Sequence, residues 1–142
     1  MAKNMYEIFD EFESAKTKQE KIEILQKNKN FALTNVLMYA FDPNIHFVFD
    51  KVPYYKAEDV PPGMSYSSIH HELDRMYLLI KDHPRTSPNL TMQRREQLLI
   101  QMLEALEPRE AIILINMILK NLKIKGLDAK IVKEAFPGLL PE

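Results

Sequence analysis

Residues 108–122 read PREAIILINMILKNL. Pro108 stands at the first helical position, where its missing N–H is no loss. Behind it, apolar residues occupy almost every position around the helix, and a helix that is hydrophobic nearly all round is one buried in a core. The segment is therefore read as the buried centre of the fold, with the rest of the chain as its cover. Its apolar stretch AIILINMIL, 111–119, is broken by Asn116 and falls well short of the ~18 residues that cross a bilayer.

The flanking segments fit that reading. On the C-terminal side, Gly126 suits a left-handed turn, and Asp128 is placed to cap the helix AKIVKEAF, 129–136. Ile131, Val132, Ala135 and Phe136 face inward there, Pro137-Gly138 ends the helix, and Phe136 with Leu139 closes the core. On the N-terminal side, Thr91 caps a helix whose stripe is Leu99, Met102, Leu103 and Leu106. The segment SYSSIHHELDRMYLLI, 65–80, predicts an amphipathic helix with Ile69, Leu73, Met76, Tyr77 and Ile80 on one face. Two polar stretches read as long surface loops, about 50–65 and 82–90. The short run IHFVF, 45–49, fits an extended piece or one helical turn equally well. FALTNVLMYAF, 31–41, buries Leu33, Val36, Leu37, Ala40 and Phe41 and is stopped by Asp42-Pro43-Asn44. Before it, Thr17 with Glu20 three residues on is a capping-box signature. It opens a surface helix with a thin stripe, Ile22 and Leu25. MYEIFDEF, 5–12, places Met5, Ile8, Phe9 and Phe12 on one face. The expectation is an all-α fold: a single compact bundle of about seven helices over residues 1–142, with two long surface loops.

Composition narrows the function classes. The chain is 46% hydrophobic and 27% charged, as ordinary globular proteins are. It has no cysteine, so disulfides and thiolate chemistry are excluded, in keeping with a cytoplasmic protein. The acidic, amphipathic N-terminus does not read as a signal peptide, and no membrane association is expected. The three glycines, at 63, 126 and 138, are too scattered for a phosphate-cradling loop. No G-x-S-x-G occurs, and no nucleophile stands beside a base. The best metal candidate is His70-His71 with Glu72 and Asp74, but adjacent histidines on a helix point about 100° apart, and the group reads as a solvated face. The other carboxylates lie mostly on outward faces beside lysines. No catalytic residues, no metal and no cofactor are expected.

Charge distribution says more. Net charge is −1, which excludes a generic polycation. Yet residues 120–133, KNLKIKGLDAKIVK, hold five lysines, at 120, 123, 125, 130 and 133, against one acid, Asp128. Arg94-Arg95 form a second basic pair, and Lys16, Lys18 and Lys21 a third group at the start of the second helix. Lysines in a turn that leads into a helix N-terminus suit phosphate binding, because free backbone N–H groups point outward there. Asp128 opposes this, since a capping carboxylate occupies the same N–H groups.

Two segments carry a family resemblance. AKTKQEKIEILQKNKNFALTNVLMYAFDPN, 15–44, resembles the start of the N-terminal DNA-binding domain of phage ATP-dependent DNA ligases, and ILINMILKNLKIKGLDAKIVKEAFPGLLPE, 113–142, resembles its end. Together they cover about 60 residues in the right order; 43–90 has no such match. The resemblance implies an all-helical domain that grips double-stranded DNA across the minor groove, through backbone amides and basic side chains at helix ends. It implies that Lys123, Lys125, Gly126 and Lys130 face the DNA backbone, with Lys16 and Lys18 at the start of the lysine-rich helix. The chain departs from the family at Asp128, where a small hydroxyl residue is usual. It also holds no Asp-Gly pair, so the Lys-x-Asp-Gly nucleotidyl-transfer motif is missing.

The expected function is therefore a non-catalytic double-stranded-DNA-binding accessory protein of phage type, with Lys16, Lys18, Lys21, Arg94, Arg95, Lys120, Lys123, Lys125, Gly126 and Lys130 as DNA-binding residues. The alternative is a protein-interaction module on the same fold that binds a host or phage replication or transcription protein, using Tyr54, Tyr55 and Met64 as anchors.

Overall fold

The computed structural model describes residues 4–57 and 67–141. Seven α-helices occur among them, with no named strand: α1 (Met5–Ser14), α2 (Lys18–Lys27), α3 (Phe31–Phe41), α4 (Ile69–Glu72), α5 (Met92–Ala105), α6 (Pro108–Ile118) and α7 (Ala129–Ala135). The fold is all-α, as the periodicity predicts. The expected inward faces of α1, α2 and α7 are buried, as are Leu99, Met102, Leu103 and Leu106 from α5 and its C-terminal end. Met64 lies outside the described residues.

Helix α6 touches α1, α3, α4 and α5 and is the hub of the core. It is not buried all round. Ile112 is 51% exposed and Leu119 37%. The helix stops at Ile118 rather than continuing to Leu122. Inside its first turn, Glu110 is buried, and its Oε2 accepts from the Ile69 N–H at 3.2 Å, closing the start of α4 onto α6. Burial raises the Glu110 carboxyl above the ordinary carboxylate range, against the lowering effect of the Ile69 N–H and of nearby His70.

The segment predicted as one helix over 65–80 is instead α4, a single turn, followed by a 3₁₀ helix over Leu73–Leu79. In a 3₁₀ helix, residues three apart eclipse. The buried face is accordingly Leu73, Met76 and Leu79, and Tyr77 is only half-buried. Ile80 leaves the helix because the backbone pairs with IHFVF: Val48 N–H donates to Leu79 O at 2.9 Å and Lys81 N–H to His46 O at 2.7 Å. Of the two readings of 45–49, the extended one is observed. Glu72 is turned inward rather than solvated. It accepts from Ser67 Oγ at 3.0 Å and from Arg75 Nη2 at 2.7 Å.

Caps fix the helix starts. Thr91 accepts from Arg94 N–H at 3.1 Å, and Asp128 from Ile131 N–H at 2.9 Å. Thr17 accepts from Glu20 N–H at 3.1 Å. The return arm of the expected capping box goes elsewhere, because Glu20 Oε2 accepts from Lys16 N–H at 3.1 Å rather than from Thr17. At the C-terminal side, Leu140 joins Phe136 in the core, and Leu139 is only partly covered.

Candidate nucleic-acid interface

The turn between α6 and α7 is built from residues that leave the right-handed region at regular intervals: Lys120 (φ 63°), Lys123 (φ 57°) and Gly126 (φ 85°). The first ends α6. Asn121 N–H donates to Asn116 O at 2.9 Å and Lys120 N–H to Met117 O at 3.0 Å. This is the Schellman pattern, with a lysine where glycine is the usual residue. A side chain there is strained, and its far end supplies a compensation: Lys120 Nζ donates to Tyr39 O and to Asp42 O, each at 2.7 Å. Those carbonyls lie at the C-terminal end of α3, where helical C=O groups lack partners and a cation is favoured. Burial lowers the Lys120 ammonium below the usual lysine range, and Asp42 opposes the shift.

Lys123 is held by its own N–H, which donates to Asn121 Oδ1 at 3.2 Å. Lys125 N–H donates to Glu13 Oε2 at 2.9 Å, anchoring the turn to α1. Leu127 N–H donates to Ile124 O at 3.1 Å, which puts Gly126 at the one turn position that needs positive φ. A Cβ at Gly126 meets Lys21 Cε at 3.3 Å. Lys21 lies across the turn, with its Nζ on Phe12 O at 2.8 Å and 4.8 Å above the Phe12 ring.

The expected DNA-binding residues thus divide into three groups. Lys18, Lys21 and Lys120 are engaged within the fold, Lys18 through Glu134 Oε1 at 3.0 Å. Arg94 and Arg95 stand on α5, which packs on α6 and the 3₁₀ helix. Arg95 Nε donates to Leu78 O at 3.1 Å, and Arg94 Nη1 to Gln97 at 3.3 Å. The turn carries Lys123, Lys125 and Gly126, Lys130 follows in the first turn of α7, and α2, which Lys16 precedes, packs against α7. Among the described residues, the ammonium groups of Lys16, Lys123, Lys125 and Lys130 have no hydrogen-bond or ion-pair partner.

Sequence reasoning did not find Glu13 or the inward role of Lys120. Both act through partners far off in the chain, and no local signal marks them. Of the alternative anchors, Tyr54 is 88% exposed and Tyr55 half-buried. Their segment is tied to α5 by Lys56 N–H donating to Glu104 Oε2 at 2.9 Å. Among the described residues, no three His, Cys, Asp or Glu side chains converge in a manner able to hold a metal ion. No helix among them is long and apolar enough to cross a membrane.

Fold and site together define an all-α protein with a hydrogen-bonded, lysine-bearing turn between α6 and α7. The chain belongs to a family of unknown function, DUF6433, whose model matches residues 8–124. The match runs from α1 into the turn, and Lys125, Gly126, Lys130 and α7 lie beyond it. No curated protein matches the chain.

Proposed function

We propose that the chain is a non-catalytic double-stranded-DNA-binding accessory protein of the cytoplasm, contacting the phosphate backbone through the α6–α7 turn and the start of α2. The observation that carries the reading is the set of four unpartnered ammonium groups: Lys123 and Lys125 on a turn whose backbone is fixed by side-chain bonds, Lys130 at the start of α7 and Lys16 before α2. The resemblance of 15–44 and 113–142 to the DNA-binding domain of phage ligases supports the same surface. Lys18, Lys21 and Lys120 shape it from within, and Arg94 and Arg95 lie outside it. Glu13 and Asp128 sit among these lysines, so binding is modest and strongly salt-dependent.

Fluorescence anisotropy with a duplex of about 25 bp tests this. Four phosphate contacts give a slope of log K against log salt of about −3 to −4. Replacing Lys123, Lys125 and Lys130 by alanine removes most of that slope, and replacing Arg94 leaves it unchanged. Absence of binding at low salt, or a slope untouched by the triple substitution, refutes the proposal.

A second reading is favoured by one observation: Tyr54 stands out almost fully exposed from a segment pinned at Lys56. A large aromatic held in that way is an interface anchor. In this reading the protein binds and modulates a host or phage nucleic-acid enzyme. Replacing Tyr54 and Tyr55 by alanine then abolishes capture of that enzyme and leaves DNA binding intact.

A further inference from the structure

A groove runs between α1 and α6 up to the turn. Phe9, Ile113 and Leu122 make its floor, with Tyr6, Ile112 and Ile124 along its sides. Its volume is about 170 Å³. That is below the roughly 300–1,000 Å³ of sites that enclose a small molecule, and matches the room needed by a large apolar side chain inserted from outside. Ile112, on the hub helix and lining the groove, is left half-exposed.

The charges around the groove are unequal in their commitments. Asp10 is engaged by Arg109 at 2.7 Å, and that guanidinium also lies 4.7 Å from the centre of the Tyr6 ring. Glu13 is engaged by Lys125 N–H. Lys120, which lines the adjoining end of the groove, is engaged by α3 carbonyls. Lys123 and Lys125 have no hydrogen-bond or ion-pair partner for their ammonium groups, and they outnumber Glu13, whose carboxylate is bonded by a backbone N–H but has no ion pair.

An apolar slot with unpaired cations at one end is complementary to an amphipathic segment whose polar side is acidic. We propose that this groove docks an acidic amphipathic helix of a protein partner, with one large apolar side chain in the slot and carboxylates on Lys123 and Lys125. The inference goes beyond the DNA reading, since phosphates gain nothing from the apolar floor. A second copy of the chain is disfavoured, because a two-fold contact brings the same unpaired lysines from both copies to one groove.

The test is a titration of the full chain with a labelled acidic helix of about 14 residues carrying Leu at i, i+3, i+4 and i+7 and Glu on its other face. The unmodified protein binds it. Ile112→Ser, at an exposed position that the core does not need, weakens binding about tenfold by removing apolar contact. Lys123→Glu, at an exposed position, weakens it by at least as much and reverses its salt dependence. Circular dichroism of both variants confirms folding. Ile112→Ser leaves duplex binding unchanged, which keeps the two proposals separable. The proposal is overturned if the peptide does not bind, if Ile112→Ser binds as tightly as the unmodified protein, if that variant loses duplex affinity in parallel, or if sedimentation shows the groove closed by a dimer that Ile112→Ser dissociates.

Discussion

Lys120 is the residue whose replacement tests the physical account of the turn most directly. Two effects oppose each other at this position. Its backbone sits at φ 63°, where a side chain costs about 1 kcal/mol relative to glycine. Its ammonium bridges Tyr39 O and Asp42 O at 2.7 Å each, and hydrogen bonds to a charged group contribute about 1.5–3 kcal/mol apiece. One ammonium serves both carbonyls, and burial withdraws part of the gain, so the clamp is worth about 2 kcal/mol in all. Lys120→Met keeps the strain and the stem and loses the clamp, so it lowers stability by about 2 kcal/mol. In a chain of this size that is a fall in Tm of roughly 6–8 °C. Lys120→Gly loses the clamp and also relieves the strain, so its net loss is about 1 kcal/mol, roughly half the shift. Thermal and urea unfolding, followed by far-UV circular dichroism, give the order unmodified, Gly, Met. If Lys120→Met is as stable as the unmodified chain, the carbonyl bridge contributes nothing and the account of the turn fails.

Two further predictions follow from buried groups. The raised carboxyl of Glu110 binds its proton more readily in the folded than in the unfolded chain, so its contribution is fully present below about pH 4.5 and is lost as pH rises through the raised folded value. Glu110→Gln keeps an acceptor for Ile69 N–H. It is at least as stable as the unmodified chain at neutral pH, and the unmodified chain gains on it as pH falls towards 4.5. A constant difference across that range, measured by urea unfolding, contradicts the burial argument. Along the 3₁₀ helix, Leu79→Ala costs about 2–5 kcal/mol as a core truncation and exceeds Tyr77→Ala. The reverse order in denaturant midpoints indicates that 73–79 is an α-helix with Tyr77 inward.

Much of this architecture is legible from the residues. Helices α1, α2 and α7 follow their apolar spacing, and Thr17, Thr91 and Asp128 announce the starts of α2, α5 and α7 because a cap is a local bond to an N–H three residues on. Gly126 is legible for the same reason, since its φ is demanded within four residues. Over 69–80 the spacing fits an α-helix and misleads. The helix ends where 79–81 pair with 46–48, a contact that periodicity does not register. The lysines show the same limit. Composition finds the basic turn, but only the fold separates Lys123, Lys125 and Lys130 from Lys18, Lys21 and Lys120, whose charges meet partners up to 116 residues away.

The contact between α2 and α7 has a consequence for how the chain is made. Lys18 meets Glu134, and Gln26 Nε2 donates to Ala135 O, across separations of 116 and 109 residues. At about 5–20 residues per second of synthesis, α2 waits roughly 5–20 s before its partner exists. A helix with a broad apolar face would spend that interval offering a sticky surface to chaperones and to other nascent chains. Helix α2 buries only Ile22 and Leu25, with Ile24 partly covered, and is otherwise polar. Its thin stripe suits a segment that must stay solvated and uncommitted until the far end of the domain has left the ribosome.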